Sequence, residues 1–191
     1  MKKTFLFLIF ITTLPIFSSA EVINILFPVQ TSHTLSEHSS IINSDNSTKS
    51  SSSGGISFRY IGDSGIGFGF TNINVDYFED ESGRGFQERH IKYRALELSY
   101  SISLLTFGLG NILDGSMTEE ILTYSPSSIL LTKKKIYQTS GTTSFAQIHF
   151  KIYEMGSLII GYHTSSLNLK SNSSSATGTI NNLMLGFQFP I

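Results

Sequence analysis

Apolar residues alternate with polar or small residues in about eight segments, and this alternation restricts the possible folds more than any other feature. Successive side chains point to opposite faces only in an extended strand, so each segment predicts a strand with one apolar face. The segments are Val22–Phe27, Ile56–Tyr60, Ile66–Phe70, Leu96–Tyr100, Leu105–Leu109, Ala146–Ile152, Leu158–Leu169 and Leu183–Phe189. We expect each strand to be roughly 9 to 11 residues long, which is enough to cross a bilayer when the strand is tilted.

Two strands carry irregularities. Pro28 cannot donate a ladder hydrogen bond, so the first strand is predicted to end or bulge there. In the third, the apolar phase moves by one residue to Ile73, Val75 and Tyr77, which predicts a bulge near Thr71 and Asn72.

The connections between strands alternate in length. Short turns are predicted at Gly62–Gly65, Ser101–Leu104 and Met155–Gly156, and long polar loops at His33–Gly55, Glu79–Arg89, Leu113–Gly141 and Lys170–Gly178. With both chain ends on one side, all short turns lie on that side and all long loops on the other. The sequence therefore predicts an all-β, eight-stranded, antiparallel up-and-down transmembrane β-barrel with short periplasmic turns and long outer loops.

The first 20 residues have the pattern of an export signal. Lys2 and Lys3 precede an apolar block from Phe5 to Phe17, and small residues end at Ala20. We expect cleavage after Ala20, which leaves residues 21–191 as a single barrel domain. The chain has no cysteine, so disulfides do not stabilise it, and a net charge of -1 predicts no nucleic-acid partner.

The polar faces of the strands carry few charges, which favours a barrel interior over a water-exposed surface. We expect an interior polar network of Arg59, Glu97, His149 and Lys151, in which Glu97 pairs with Arg59 or Lys151. An eight-stranded barrel is just filled by such side chains, so no channel is expected. A soluble, lipocalin-like periplasmic carrier is the alternative, and it would place Ile148, Phe150, Phe187 and Phe189 in a dry centre.

Three motifs carry a resemblance to a known family: Gly65-Ile66-Gly67-Phe68-Gly69-Phe70, Gly161-Tyr162 and Leu185-Gly186-Phe187-Gln188-Phe189. With them the mature chain resembles the small eight-stranded outer-membrane proteins of Gram-negative bacteria. The resemblance implies residence in the bacterial outer membrane and contacts with its lipid, its lipopolysaccharide and the outer-membrane assembly machinery. The strand count, the loop asymmetry and the sparsely charged polar face favour a non-enzymatic protein, expected to be a monomer, whose outer loops serve surface interaction, adhesion or envelope integrity.

His163 and Ser165 are the candidate catalytic residues. Positions i and i+2 of a strand share a face, so the imidazole and the hydroxyl are neighbours that could act as base and nucleophile. Their place on the penultimate strand is similar to the His-x-Ser pair of outer-membrane lipid A deacylases. That resemblance implies, as an alternative function, an esterase acting on lipid A.

Other charged and polar clusters predict little chemistry. Lys133, Lys134 and Lys135 are candidates for contact with lipopolysaccharide phosphates. The acids Glu79, Asp80, Glu81 and Glu88 lack the ordered oxygen spacing of a calcium loop, and no glycine motif opens a helix around a phosphate. His33 and His38 share no face of a strand or helix, so we expect no metal and no cofactor.

Overall fold

A computed structural model of the chain describes residues 21–36, 48–81, 85–124, 130–152, 156–172 and 174–191. The predicted signal segment, His38 and Met155 of the predicted Met155–Gly156 turn lie outside these ranges. Among the residues described, no helix is long and apolar enough to cross a membrane. The strands are β1 (Val22–Ser36), β2 (Thr48–Ile61), β3 (Ile66–Glu81), β4 (Gly85–Ile102), β5 (Leu105–Tyr124), β6 (Leu130–Lys151), β7 (Ser157–Lys170) and β8 (Ser175–Pro190).

The eight strands form one closed antiparallel barrel in which each strand pairs with its neighbours in sequence. Closure comes from β1 and β8, whose register runs from Val22 opposite Pro190 to Ser36 opposite Thr177. The predicted up-and-down barrel is thereby confirmed. On its other side β1 pairs with β2 from Val22 opposite Ile61 to Leu26 opposite Ser57, so that every strand has a ladder partner on both sides at the end near the short turns.

The strands are longer than the sequence pattern predicted. They span between 14 residues in β2 and 22 in β6, because regions predicted as loops continue the two walls of a hairpin. Most of Leu113–Gly141, for example, forms the outer ends of β5 and β6. The prediction of long outer loops is therefore wrong for this segment: residues 125–129 alone separate the two strands.

The predicted bulge near Thr71 and Asn72 is also wrong. The register of β3 with β4 runs without a shift from Ile66 opposite Tyr100 to Glu81 opposite Gly85. The apolar residues move from the outer face of β3 to its inner face, while the backbone continues unchanged. A register shift does occur at Pro28–Gln30 in β1, as expected for a proline that cannot donate to the ladder.

The inner face of the barrel therefore changes character along its length. Near the short turns it carries many buried polar side chains, among them Asn24, Arg59, Thr71, Glu97, Gln147 and His163. Toward the other end it becomes an apolar core, to which Ile73, Val75, Ile91, Met117, Tyr137, Leu167, Leu169 and Ile180 contribute. The outer faces of those same strands are largely polar there, as in a water-soluble barrel, with Leu113 and Ile136 as exposed apolar exceptions.

Substitution of two adjacent glycines of β2 would test the backbone geometry of this upper region. Gly55 has a φ of 129°, and a Cβ atom on it would lie 2.1 Å from the carbonyl oxygen of Asn72, whereas a Cβ on Gly54 would meet no atom within 4 Å. We expect Gly55→Ala to lower the free energy of unfolding by more than about 1 kcal/mol, because both the strained φ and the clash oppose the side chain. Gly54→Ala is the matched control and should leave the urea midpoint nearly unchanged. Equal midpoints for the two variants would contradict this geometry.

Candidate functional site

An apolar belt surrounds the outside of the barrel next to the short turns. It consists of the outward-facing residues Ile23, Ile25, Phe27, Val29, Ile56, Phe58, Tyr60, Ile66, Phe68, Phe70, Leu96, Leu98, Tyr100, Leu105, Phe107, Leu109, Ala146, Ile148, Phe150, Ile152, Leu158, Ile160, Tyr162, Leu183, Leu185, Phe187 and Phe189. Cross-strand pairs such as Phe58 with Phe70 and Leu98 with Leu109 join its members around the wall. A continuous exposed apolar surface on every strand fits hydrocarbon and not water.

Four residues of the belt decide between lipid and water. Ile148, Phe150, Phe187 and Phe189 are 46%, 48%, 51% and 46% exposed, so they lie on the outside of the wall. The soluble-carrier alternative required these four side chains in a dry centre, and their exposure contradicts it.

The belt ends at one level around the barrel. Beyond it, the next outward-facing residue on each strand is polar or glycine: Gln30, Gly54, Asn72, Arg94, Asn111, Ser144, Thr164 and Asn181. Register connects members of this row, such as Thr164 with Asn181 in β7 and β8. The Arg94 guanidinium pairs with Asp114 on β5, with 2.8 Å between Nε and Oδ1. We call these eight residues the polar row, and they form the boundary between the lipid-facing wall and the water-facing wall.

Inside the belt, Glu97 is the centre of a hydrogen-bond network across five strands. Its carboxylate accepts hydrogen bonds from Arg59 Nη2 at 2.6 Å, Thr71 Oγ1 at 2.9 Å and Thr143 Oγ1 at 2.9 Å, and it lies 2.7 Å from His163 Nε2. Both oxygens of the carboxylate are therefore satisfied in a fully buried position. A buried charge needs this number of partners to offset its desolvation.

Aromatic and cationic groups fill the space around this carboxylate. The guanidinium of Arg59 is completely buried and lies over the ring of Phe145, with 3.6 Å between Cζ and the ring centroid. Phe145 in turn is stacked on His163 at a centroid distance of 6.3 Å. Arg59 is thereby held between a carboxylate and a π-face, which is a favourable environment for a desolvated guanidinium.

The structure does not bring all four expected members of the interior network together. Arg59 and Glu97 form an ion pair, and His149 is buried lower in the lumen, with Nε2 2.8 Å from Thr106 Oγ1. Lys151 does not join them: its side chain is exposed. Lys151 has the inward alternation phase, but it is the last residue of β6 and lies where the wall ends.

The His163 and Ser165 side chains both point into the lumen and are buried. His163 bonds to Glu97 and not to Ser165, whose Oγ is 2.7 Å from the hydroxyl of Tyr93. Glu97 is the carboxylate partner that the sequence downstream of Ser165 does not contain. A lipid ester would nevertheless lie on the opposite side of the wall from both side chains, so this geometry does not support lipid A hydrolysis.

Above the apolar core, a second polar cluster lies near the outer end of the barrel. Glu119 accepts hydrogen bonds from Arg89 Nε at 2.9 Å and Gln87 Nε2 at 2.7 Å, and Tyr77 donates to Glu79 at 2.9 Å. The ring of His33 meets that of Tyr77 edge to face at 4.3 Å. Burial, and then the positive charge of Arg89, lower the pKa of His33 to about 4, so its ring is neutral at pH 7.

The three lysines lie in β6 and not in a loop, and all three are exposed. Lys134 forms an ion pair with Glu120 of β5. Of the acids Glu79, Asp80, Glu81 and Glu88, Glu79 is buried and accepts a hydrogen bond from Tyr77. In the part of the chain that the structure covers, no group of three or more His, Asp or Glu side chains could hold a metal ion.

A closed eight-stranded barrel with an exposed apolar belt and a buried ionic lumen is consistent with a lipid bilayer around the belt. The chain is a closed, eight-stranded, antiparallel transmembrane β-barrel. No family model matches its sequence, and no curated protein matches it significantly. Among solved structures it is similar to Neisserial surface protein A (NspA), with 10% identity, 91% of this chain and 98% of that chain covered, and a TM-score of 0.38. It is also similar to the outer-membrane protein OprG from Pseudomonas aeruginosa, with 6% identity, coverage of 91% and 98%, and a TM-score of 0.32.

Sequence reasoning missed three partners of Glu97 in this transmembrane barrel, namely Thr71, Thr143 and His163. All three have the inward phase of their strands, and this phase was visible in the sequence. The strand register, which alone brings them to the level of Glu97, was not.

Proposed function

We propose that this protein is a non-enzymatic bacterial outer-membrane barrel that raises a rigid polar surface above the lipid for interactions at the cell surface. The observation that carries the proposal is the reversal of polarity at the polar row. Below it the wall is apolar outside and largely polar inside, and above it the wall is largely polar outside and encloses the apolar core, with a polar cluster only near the outer end. A wall of the second kind is stable in water, so it extends the barrel beyond the bilayer.

A filled lumen supports a role in binding or structural support over one in transport. Arg59, Tyr93 and Tyr137 are among the largest fully buried side chains, and they lie at successive levels of the barrel. The ion pair at Glu97 and the apolar core above it would both have to separate before a solute could pass. We therefore propose adhesion or envelope integrity as the role of this barrel.

The partners proposed for this barrel follow from its surface. Outer-membrane lipid would contact the belt, and lipopolysaccharide would contact the outer wall, where Lys133 and Lys135 are exposed. The assembly machinery would receive β8, whose outer face ends in Phe187 and Phe189. A barrel that closes on itself needs no second copy to complete its sheet, which favours a monomer.

Single-cysteine labelling of intact cells tests this arrangement, because the chain has no cysteine of its own. We expect a membrane-impermeant maleimide to label Asn168→Cys on the outer wall of β7. Asp63→Cys, in a short turn, should react only after the outer membrane is permeabilised, and Leu98→Cys, in the belt, should resist labelling in both cases. Labelling of Asp63→Cys but not Asn168→Cys in intact cells would contradict the proposed orientation.

A further inference from the structure

The apolar belt is short along the barrel axis. It contains only three outward-facing residues on β3, namely Ile66, Phe68 and Phe70, and four on β8, from Leu183 to Phe189. At about 3.3 Å per residue and a tilt of roughly 40°, its first and last Cα positions are about 10 to 15 Å apart. The apolar band of transmembrane barrels is about 25 Å tall, which by the same first-to-last measure corresponds to about six outward-facing residues per strand.

The upper edge of the belt cannot move outward without burying polar groups. The polar row would then lie in hydrocarbon, including the exposed ion pair between Arg94 and Asp114. Above it, Asn74, Lys92 and His90 also face outward. The cost of a charged residue on the lipid face rises steeply from the interface to the midplane, so Arg94 opposes a thicker lipid layer.

The lower edge is equally restricted. Tyr60 is the last belt residue of β2, and the short turn of residues 62–65 begins two residues later and includes Asp63, which is exposed. A hydrogen bond from the backbone amide of Gly65 to the carbonyl of Gly62 holds this turn closed. The wall below the belt therefore has no further apolar residue at this turn, and the neighbouring turn between β4 and β5 adds only Leu104, which is 56% exposed.

We infer that this barrel fits a bilayer of short acyl chains, and that lipids of ordinary chain length must thin around it. The inference rests on the proposed membrane location and adds the class of lipid that the belt accepts. A hydrophobic mismatch is relieved by tilting or by thinning of the bilayer. Tilting shortens the projected belt further, so thinning is the response that matches this surface.

The test compares the stability of the refolded protein in vesicles of didecanoyl-, dilauroyl-, dimyristoyl- and dioleoylphosphatidylcholine. We expect the highest urea midpoint in didecanoyl or dilauroyl vesicles and a steady decrease toward dioleoyl vesicles. A maximum in dimyristoyl or dioleoyl vesicles would overturn the inference and leave the membrane location intact. If the protein inserted into none of the four kinds of vesicle, the proposed membrane location itself would be overturned.

A belt-extending variant separates this effect from any general preference for thin vesicles. The triple variant Asn72→Leu, Thr164→Leu and Asn181→Leu adds one apolar level on β3, β7 and β8, and its stability maximum should move to the next longer lipid. The matched control Asn74→Leu, Ser166→Leu and Thr179→Leu adds the same side chains one outward-facing step higher. Because the polar row still separates them from the belt, the maximum should not move, and an equal shift in both variants would overturn the inference.

Discussion

Replacement of Glu97 by alanine is expected to lower the free energy of unfolding by about 3 to 5 kcal/mol. The variant removes the acceptor of three hydrogen bonds and the partner of His163, and it leaves the buried guanidinium of Arg59 without a counter-ion. An uncompensated charge in the lumen costs far more than the pair itself contributes. Urea unfolding in vesicles, followed by far-UV circular dichroism and by heat-modifiable migration on gels, measures the change.

Two controls show whether the effect comes from the buried charge. Glu120→Ala removes an exposed ion pair with Lys134 and should cause a much smaller shift, since surface pairs contribute little. The double variant Arg59→Met with Glu97→Leu removes both charges and keeps most of the volume, so it should recover most of the lost stability. If Glu97→Ala unfolds at the wild-type midpoint, the network does not hold the barrel together.

Replacement of Leu98 by lysine is expected to destabilise the barrel in vesicles by about 2 to 4 kcal/mol. Leu98 lies in the middle of the belt, where its cross-strand neighbours are Phe68 and Leu109, and it is 69% exposed. An exposed leucine of a soluble protein would accept lysine with little change. A loss of stability of this size would therefore show that lipid surrounds this residue, and it is determined from urea unfolding.

Asn168→Lys is the matched control for this substitution. Asn168 also faces outward and is exposed, but its neighbours are Ser140 and Thr177 on the water-facing wall. The free energy of unfolding of this variant should remain within about 0.5 kcal/mol of wild type, because surface substitutions in water rarely exceed that value. Equal effects of the two lysines would show that the belt does not face lipid.

Much of the site in the lumen could be predicted from the sequence. The contacts that could not be predicted depend on the level of each residue along the barrel, which alternation does not give. The inward phase of Arg59 and Glu97 follows from their apolar neighbours in sequence, and the pair is within reach once β2, β3 and β4 are adjacent. His163 and Ser165 also share a face, as their spacing predicts. Their orientation toward the lumen, and the bond of His163 to Glu97, needed the register of β4 against distant β7, because alternation identifies a face and not a level.

The same limit explains the error at Thr71 and Asn72. A change of apolar phase within one strand has two physical causes: a bulge that rotates the backbone, or a change of solvent outside the wall. Sequence alone cannot separate them, because both move the apolar residues by one position. The unbroken pairing of β3 with β4, together with the polar row on the other strands, shows that the solvent changes at this level.

The sequence by itself determined the strand order, the antiparallel hairpins and the apolar face of each strand, because these depend on residues close together in the chain. The tertiary structure alone decided the closure between β1 and β8, the common level of the polar row and the four contacts of Glu97. Each of these depends on the register between strands, and register is a property of the whole closed wall and not of any single segment.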